Sequence, residues 1–316
     1  MITAMDNNYE RQPVLIWGNG KLSHSIAVCL LQANNTVTLI TEDEQSTDCI
    51  RQHCNEVYKA KGKKISLDRL HITTQPCEVK NYGLAIIVTG EDAAEKKTAI
   101  YHVEQLVGNE TIIAVNMESI ALKELQNACR QPQRLMGLNW TEPAHTTYFL
   151  EIITNEITNK VLAAALLSLA KKSWNKDPYI INGEVSIRAK MLYAMAREAF
   201  YLVHNGYASI EDVDRACRND AGYYLPFAGN FRYMDLMGTY AYGLVMKDLN
   251  RELSRSSKAP AFFQEIMAQG GLGMDNGFGF YDYEDNAAEK WKEMVGRFSH
   301  EVQHIIRKYP FGDEGK

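Results

Sequence analysis

The segment that most constrains the fold is a short apolar run that ends in a glycine turn. Val14–Trp17 is followed by Gly18-Asn19-Gly20, and a helical pattern begins at Ser23. A strand, a Gly-x-Gly turn and a helix start suit a dinucleotide: Gly18 permits the tight turn, and Gly20 lets backbone approach a pyrophosphate at the helix N-terminus. Ser23 stands where a third glycine is usual and is small enough for close packing. An ordinary turn is the alternative.

Short apolar runs alternate with helical stretches through the first half of the chain. The predicted strands are Pro13–Gly18, Thr36–Thr41, Leu84–Thr89, Thr111–Asn116, Leu135–Trp140, Tyr148–Thr154 and Tyr179–Asn182. Helices are predicted at Ser23–Ala33, Asp92–Val107 and Val161–Lys172. Strands that are rich in Val, Ile and Leu and separated by helices predict an α/β Rossmann domain with a mostly parallel sheet.

The second half loses the strand pattern and reads as helical. A helix start is predicted at Ser209, followed by an acidic first turn. Long helices are predicted at Ser186–Asn205, Met234–Ser254, Ala259–Gln269 and Ala287–Lys308. The sequence therefore predicts two domains, residues 1–183 with the sheet and residues 184–316 as an all-α domain.

Composition excludes several classes of protein. The 316 residues carry a net charge of −5, whereas a protein that coats nucleic acid needs a basic balance. No apolar run is long enough to span a membrane, and the N-terminus shows no signal core. The six cysteines form no CxxC pair, which favours reduced thiols. We expect a cytoplasmic protein with a small-molecule substrate and neither a nucleic-acid nor a membrane partner.

The end of the second strand bears on the choice of cofactor. An NAD-binding domain usually has an acidic residue there to hold the ribose hydroxyls. Thr41 occupies that position, Glu42 follows it, and no Arg lies nearby to hold a 2′-phosphate. This pattern favours NAD over NADP; a solvated turn is the alternative interpretation.

Several further segments, in a fixed order from about Val14 to Tyr283, point to one family. They are Glu91–Lys97, Thr111–Ser119, Gly137–Pro143, Phe149–Ile153, Gly206–Asp214, Gly271–Gly273 and Asn276–Tyr283. Together with the glycine turn they resemble the L-3-hydroxyacyl-CoA dehydrogenase family, which includes relatives that act on small hydroxy acids.

The resemblance implies hydride transfer between NAD and a 3-hydroxy substrate such as an acyl-CoA, a role in fatty acid metabolism, and a helical domain that forms a homodimer. In the family a His acts as general base and a Glu orients it. The residues implied in cofactor binding are Gly18, Gly20, Lys21, Leu22, Ser23, Thr41, Glu42, Thr89, Gly90, Glu91, Lys96 and Asn116.

The match fails at the reacting centre. Asn139 occupies the position of the catalytic His, while the partner Glu is kept as Glu151. An amide cannot act as a base near neutral pH, although it can donate a hydrogen bond. The family's substrate-binding positions fall on Glu118, Glu142 and Ala189.

These changes leave alternatives open. His145, six residues after Asn139, is a candidate for a relocated base or substrate contact; an ordinary loop histidine is the other interpretation. Glu118, Glu142 and Glu151 are candidates for an acidic pocket that suits a cationic or polyhydroxy substrate. The chain is then a dehydrogenase of the family type, a dehydrogenase of a small non-CoA hydroxy acid, or a catalytically silent NAD-binding relative.

Two other features have simple interpretations. Lys59, Lys61, Lys63 and Lys64 cluster in the short segment between Thr41 and His71, which predicts a solvated surface or contact with an anionic nucleotide. The residues 300–304 read His-Glu-x-x-His, a zincin motif, but no third His follows within the twelve remaining residues. We interpret this motif as a coincidence on a surface helix and predict no metal site.

Overall fold

The computed structural model describes residues 12–75, 81–249 and 251–309. It divides into two compact units, residues 1–189 and residues 190–316. The predicted division after residue 183 stays a prediction, since compactness alone does not decide where each unit would fold independently. The predicted absence of a signal segment and the predicted reduced state of Cys77 concern residues outside the described part of the chain.

The first unit is built on one eight-stranded sheet, and its elements alternate as the sequence predicts. The strands are β1 (Val14–Gly18), β2 (Val37–Ile40), β3 (Leu70–Thr73), β4 (Leu84–Val88), β5 (Ile112–Val115), β6 (Leu135–Trp140), β7 (Phe149–Thr154) and β8 (Asp177–Asn182). The helices are α1 (Gly20–Gln32), α2 (Ser46–Lys61), α3 (Ala93–Leu106), α4 (Leu122–Gln126) and α5 (Lys160–Ser173), with a 3-10 turn at Pro132–Arg134.

The strand order is β3-β2-β1-β4-β5-β6-β7-β8. All neighbours are parallel except β6 and β7, which form an antiparallel pair. The prediction of a Rossmann fold with a mostly parallel sheet is confirmed. The order reverses between β1 and β4, and open α/β sheets bind ligands at the carboxyl ends of the strands at such a reversal.

The core forms two apolar layers, one on each face of the sheet. Val14 and Ile16 pack with α1, α2 and α5, whereas Leu15 packs with α3 and α4. Since side chains alternate along a strand, β1 has to be apolar on both faces. This burial explains why its sequence shows no alternation of polar and apolar residues.

Two elements between Thr41 and Leu84 were missed by the sequence analysis. Helix α2 buries only four residues, Ser46, Ile50, Cys54 and Val57, so its apolar stripe is narrow. Strand β3 is an edge strand with no fully buried residue. Both patterns are weak because each element buries little surface.

The second unit is helical. It contains most of α6 (Ile187–His204), α7 (Ile210–Ala216), a π-helical turn at Cys217–Ala221, α8 (Gly222–Met237), α9 (Thr239–Leu249), α10 (Ala261–Ala268) and α11 (Ala287–Lys308). The predicted start at Ser209 is confirmed, because its side chain caps α7 by accepting a hydrogen bond from Asp212 N–H at 3.1 Å.

The prediction of one helix over Met234–Ser254 is wrong. The chain breaks at Gly238, whose φ of +107° lies in a region that favours glycine, and the next helix ends at Leu249. None of the described helices combines the length and the apolar character that a bilayer crossing needs. The cytoplasmic location stays a prediction.

Candidate active site and cofactor cleft

The glycine turn brings β1 against β4 at the carboxyl end of the sheet. A Cβ on Gly18 would lie 2.3 Å from the carbonyl oxygen of Val88, so the close approach of the two strands needs glycine there. Gly20 has a φ of +80° and opens α1. The first turn of α1 carries no acidic residue, so its N–H groups and partial positive charge can receive an anion.

Asn19 connects this turn to the end of β2. Its Oδ1 accepts hydrogen bonds from Thr41 Oγ1 at 2.8 Å and from Glu42 N–H at 3.0 Å. The predicted ribose-binding position Thr41 is buried in this contact, while Glu42 is exposed beside it. Sequence reasoning missed Asn19; the one signal was an Asx residue between two turn glycines.

A cleft of about 470 Å³ opens at the reversal of strand order. Of the predicted cofactor residues, its lining includes Gly18, Leu22, Thr41, Glu42, Thr89, Gly90 and Asn116. The lining residues that were not predicted are Trp17, Asn19, Ile40, Thr74, Val88 and Glu95. The ends of β1, β2, β4 and β5 all meet at this cleft, as the fold requires of a dinucleotide site.

The remaining predicted cofactor residues, Gly20, Lys21, Ser23, Glu91 and Lys96, lie outside the lining of the cleft. Lys21 is exposed on α1, and Ser23 is buried beneath the turn, where its hydroxyl donates to the Asn19 carbonyl at 3.2 Å.

Glu91 and Lys96 form an ion pair next to the cleft and hold neighbouring residues in place. Glu91 Oε1 accepts the consecutive backbone N–H groups of Glu118, Ser119 and Ile120 at 2.7–3.1 Å. Partial burial opposes its charge, but these three donors and Lys96 together hold the pKa of Glu91 below its ordinary value.

Lys96 is fully buried and fixes the cleft residue Asn116. Its Nζ donates to Asn116 O at 2.7 Å and lies 3.4 Å from Glu91 Oε2. Asn116 in turn pairs its amide with the backbone of Thr89, accepting from N–H at 3.0 Å and donating to O at 3.1 Å. Burial lowers the pKa of Lys96, and Glu91 is the main opposing influence.

The predicted catalytic residues Asn139 and Glu151 stand opposite each other on the antiparallel strands β6 and β7. Asn139 Nδ2 donates to Glu151 Oε2 at 3.0 Å and to Met117 O at 2.7 Å, and Asn139 Oδ1 accepts from Met117 N–H at 2.9 Å. Both donors of the amide are therefore used inside the protein, and Asn139 is only 4% exposed.

Glu151 is fully buried and collects donors from β8 and α6. Its Oε1 accepts from Tyr179 OH at 3.1 Å, Ile187 N–H at 3.0 Å and Arg188 N–H at 3.3 Å. The two N–H groups belong to the first turn of α6, whose dipole favours a carboxylate. Partial burial raises the pKa of Tyr179 above its ordinary value, and the neighbouring Glu151 carboxylate is the second cause.

Arg188 changes the electrostatics predicted for this site. Its Nη1 donates to Glu118 Oε1 at 2.8 Å, with each side chain about a third exposed. Two of the three carboxylates that the sequence analysis proposed for an acidic pocket, Glu118 and Glu151, thus contact Arg188, a cation that the sequence analysis did not single out. Ala189 is buried next to it, and Glu142 is exposed beyond the end of β6.

The structure does not bring His145 to Asn139. Its neighbour Ala144 packs into the core layer of α1, α2 and α5, whereas Asn139 contacts Met117, which belongs to the layer of α3 and α4. The ring of His145 instead lies 4.9 Å from that of His53 on α2.

Two sequence comparisons identify the family. Residues 13–184 match the family described as "3-hydroxyacyl-CoA dehydrogenase, NAD binding domain", and residues 187–283 match "3-hydroxyacyl-CoA dehydrogenase, C-terminal domain". This chain belongs to the 3-hydroxyacyl-CoA dehydrogenase family. The predicted resemblance and the prediction of NAD as cofactor are both confirmed, and the cleft at the strand reversal fits a dinucleotide.

The relatives of this chain carry names that refer to different substrates. The 5-formyl-3-hydroxy-2-methylpyridine 4-carboxylate 5-dehydrogenase of Mesorhizobium japonicum is 28% identical over 208 residues, which cover 65% of this chain and 67% of that protein. The fatty acid oxidation complex subunit alpha of Shewanella frigidimarina is 27% identical over 235 residues. The matched residues cover 74% of this chain and 32% of that subunit, so the chain spans about a third of the subunit's length.

Solved structures of the family share the fold. A crystal structure of the 5-formyl-3-hydroxy-2-methylpyridine 4-carboxylic acid dehydrogenase, described as an NAD+ dependent dismutase, has a TM-score of 0.86 at 23% identity and covers 94% of this chain and 99% of its own. That of (S)-3-hydroxybutyryl-CoA dehydrogenase from Ralstonia eutropha has a TM-score of 0.67 at 22% identity, with coverages of 87% and 100%.

Proposed function

We propose that this family member is an NAD-dependent oxidoreductase of a small hydroxy acid rather than of an acyl-CoA. NAD supplies the hydride acceptor, or NADH the donor, when it is bound in the cleft. The observation that carries the proposal is the position of the Arg188 guanidinium. It donates to Glu118, which follows the cleft residue Asn116 by two residues. A guanidinium is the side chain best suited to bind a substrate carboxylate with two hydrogen bonds.

The residues around Arg188 orient it from two sides. Its backbone N–H is fixed on Glu151, and its guanidinium lies 5.9 Å from the ring of Phe149. Glu118 uses one of its donors, which leaves the remaining N–H groups of a side chain that is 32% exposed for a ligand. A relative named for a pyridine carboxylate substrate supports the same class of ligand.

Asn139 supports a second candidate, a catalytically silent protein that binds NAD. The amide takes no proton, and its two donors are already engaged with Met117 and Glu151. A general base typically contributes about 100- to 10,000-fold to the rate, so its loss is compatible with weak activity or with none.

Two experiments separate these candidates. Titration with NADH, followed by nucleotide fluorescence, tests the premise that both candidates share, and an absence of binding up to millimolar NADH would refute both. A panel of small hydroxy acids and acetoacetyl-CoA then tests turnover. We expect NAD reduction with a hydroxy acid; turnover of acetoacetyl-CoA alone would contradict the proposed substrate class, and no turnover at all would favour the silent candidate.

Arg188→Ala tests the substrate contact against Arg215→Ala as a matched control. Arg215 also forms an ion pair, with Asp212, but lies exposed on α7. Removing a charge-assisted hydrogen bond of about 1.5–3 kcal/mol should raise KM for the hydroxy acid roughly 10- to 150-fold. NADH affinity should stay unchanged in both variants, and an equal change of KM in both would refute the role of Arg188.

Asn139→His tests whether the substrate site still accepts an acyl-CoA. The new ring can donate to Glu151 as the family's base does. A rise in acetoacetyl-CoA reduction would show that only the base has been lost. An unchanged rate, in a variant that still binds NADH, is the result we expect.

The homodimer implied by the family stays a proposal as well. It is supported by large apolar side chains that are exposed in the second unit, with exposed fractions of 81% for Phe231, 82% for Tyr240 and 70% for Leu272. Sedimentation equilibrium of the intact protein would test it, and a monomer across the micromolar range would refute it.

A further inference from the structure

Three side chains on the α2 side of the sheet form a group with the composition of a metal site. His53 and Glu56 lie three residues apart on α2, so both project from one face of the helix. His145 comes from the loop between β6 and β7 and meets them there. One ligand atom of each residue lies within 4.8 Å of the others, and His53 Nδ1 is 3.1 Å from Glu56 Oε2.

We propose that His53, Glu56 and His145 bind a zinc ion. Two imidazoles and one carboxylate are a set of donors that zinc takes in proteins, with a water molecule as the fourth ligand. A tetrahedral ion with bonds of about 2 Å holds its ligand atoms about 3.3 Å apart, so separations within 4.8 Å have to close by at most roughly 1.5 Å. Rotation of the two helix side chains, which are 23% and 35% exposed, provides this movement.

The loop that carries His145 is already held in place. Ala144 N–H donates to Ser25 Oγ at 3.1 Å, and the buried Lys176 ammonium donates to the carbonyl groups of Ala144 and Thr147. His145 itself is only 5% exposed. A bound ion would therefore not have to order this loop, and the low entropic cost favours a high affinity for the ion.

The composition of the group suits a cation, because it brings the carboxyl group of Glu56 together with the imidazole rings of His53 and His145. The outer face of the group is partly open, because His53 and Glu56 are both accessible. This opening leaves room for the fourth ligand.

The His-Glu-x-x-His motif at His300–His304 offers a matched comparison. It lies on α11, and across residues 12–75, 81–249 and 251–309 the one group of three or more metal-ligating side chains that come together is His53, Glu56 and His145. The motif visible in the sequence thus lacks a third ligand in the described chain, whereas the group without a sequence motif has three.

Cobalt(II) and zinc(II) titrations of the intact protein, after treatment with a chelator, test the proposal. We expect one equivalent of cobalt to give the visible absorption of a tetrahedral site, zinc to displace it, and zinc to raise the thermal midpoint. His53→Asn, His145→Asn and Glu56→Gln should each weaken binding by at least about tenfold. The double variant His300→Asn/His304→Asn should bind like the parent protein.

Three results would overturn the inference. They are the absence of a tetrahedral cobalt spectrum in the parent protein, a spectrum unaffected by the three single substitutions, and loss of the spectrum in the His300/His304 double variant alone. Since Glu56 lies on the surface of α2, Glu56→Gln keeps the test decisive even if substitution of the buried His145 prevents folding.

Discussion

Asn139→Asp probes the buried contact between Asn139 and Glu151 directly. The substitution places a second carboxyl group where the amide now donates to Glu151 at 3.0 Å. Two carboxylates at that distance repel by about 5 kcal/mol at an effective dielectric constant of about 20. We therefore expect the pair to retain one proton in the folded state at pH values where the unfolded chain has lost it.

This retained proton fixes the sign of the pH dependence. A folded-state pKa raised above the unfolded value gives stability that is present at low pH and lost as pH rises. The free energy of unfolding of Asn139→Asp should fall by about 1.4 kcal/mol per pH unit relative to the parent, from about pH 5 upward, until the pair is ionised or about 5 kcal/mol is lost.

Urea unfolding from about pH 5 to pH 9 measures this slope. Asn139→Ala is the control, since it removes the same hydrogen bonds but introduces no titrating group. Asn139→Ala should lower the free energy of unfolding by about 1–3 kcal/mol for each buried polar group left unpaired, with a much weaker pH dependence than Asn139→Asp. Equal slopes for Asn139→Asp and Asn139→Ala would refute the arrangement of Asn139 against a carboxylate.

Three further outcomes are expected. Gly18→Ala should weaken NADH binding in a fluorescence titration, because its Cβ would lie 2.3 Å from the Val88 carbonyl and the strain costs about 1–3 kcal/mol; unchanged affinity would contradict the close approach. Ser209→Ala should lower the free energy of unfolding by about 1 kcal/mol in urea unfolding, and an unchanged free energy would contradict the capping role of Ser209. Partial burial raises the pKa of the Cys129 thiol to about 12, so iodoacetamide should label the exposed Cys217 first, as peptide mapping would show; faster labelling of Cys129 would contradict the raised pKa.

Most of the sheet could be predicted because its central strands are apolar on both faces. Runs such as Val14–Trp17 and Ile112–Val115 have few other stable placements than a sheet covered on both sides. The elements that were missed, α2 and β3, bury little surface and carry correspondingly weak patterns. The break at Gly238 was missed because a single glycine inside an apolar helical pattern is often tolerated.

The sequence analysis proposed candidate residues for the site but could not give their contacts. The spacing of Asn139 and Glu151 follows from the family pattern, yet only the structure shows that the amide is engaged with Met117 and has no donor left for a substrate. Arg188 was missed because its partner Glu118 lies seventy residues earlier in the chain. The meeting of His53 with His145 likewise depends on tertiary folding, which no local spacing records.

The last strand of the sheet restricts how copies of this chain can associate. Asp177 N–H and Gly183 N–H both point to β7, so the alternate residues of β8, Pro178 among them, turn their backbone groups to the outer edge. Pro178 has no N–H to donate, and proline at an edge opposes the addition of a further strand. A homodimer is therefore not expected to form by continuing the sheet from one copy into the next at β8. The missing N–H of Pro178 also disfavours aggregation through this edge.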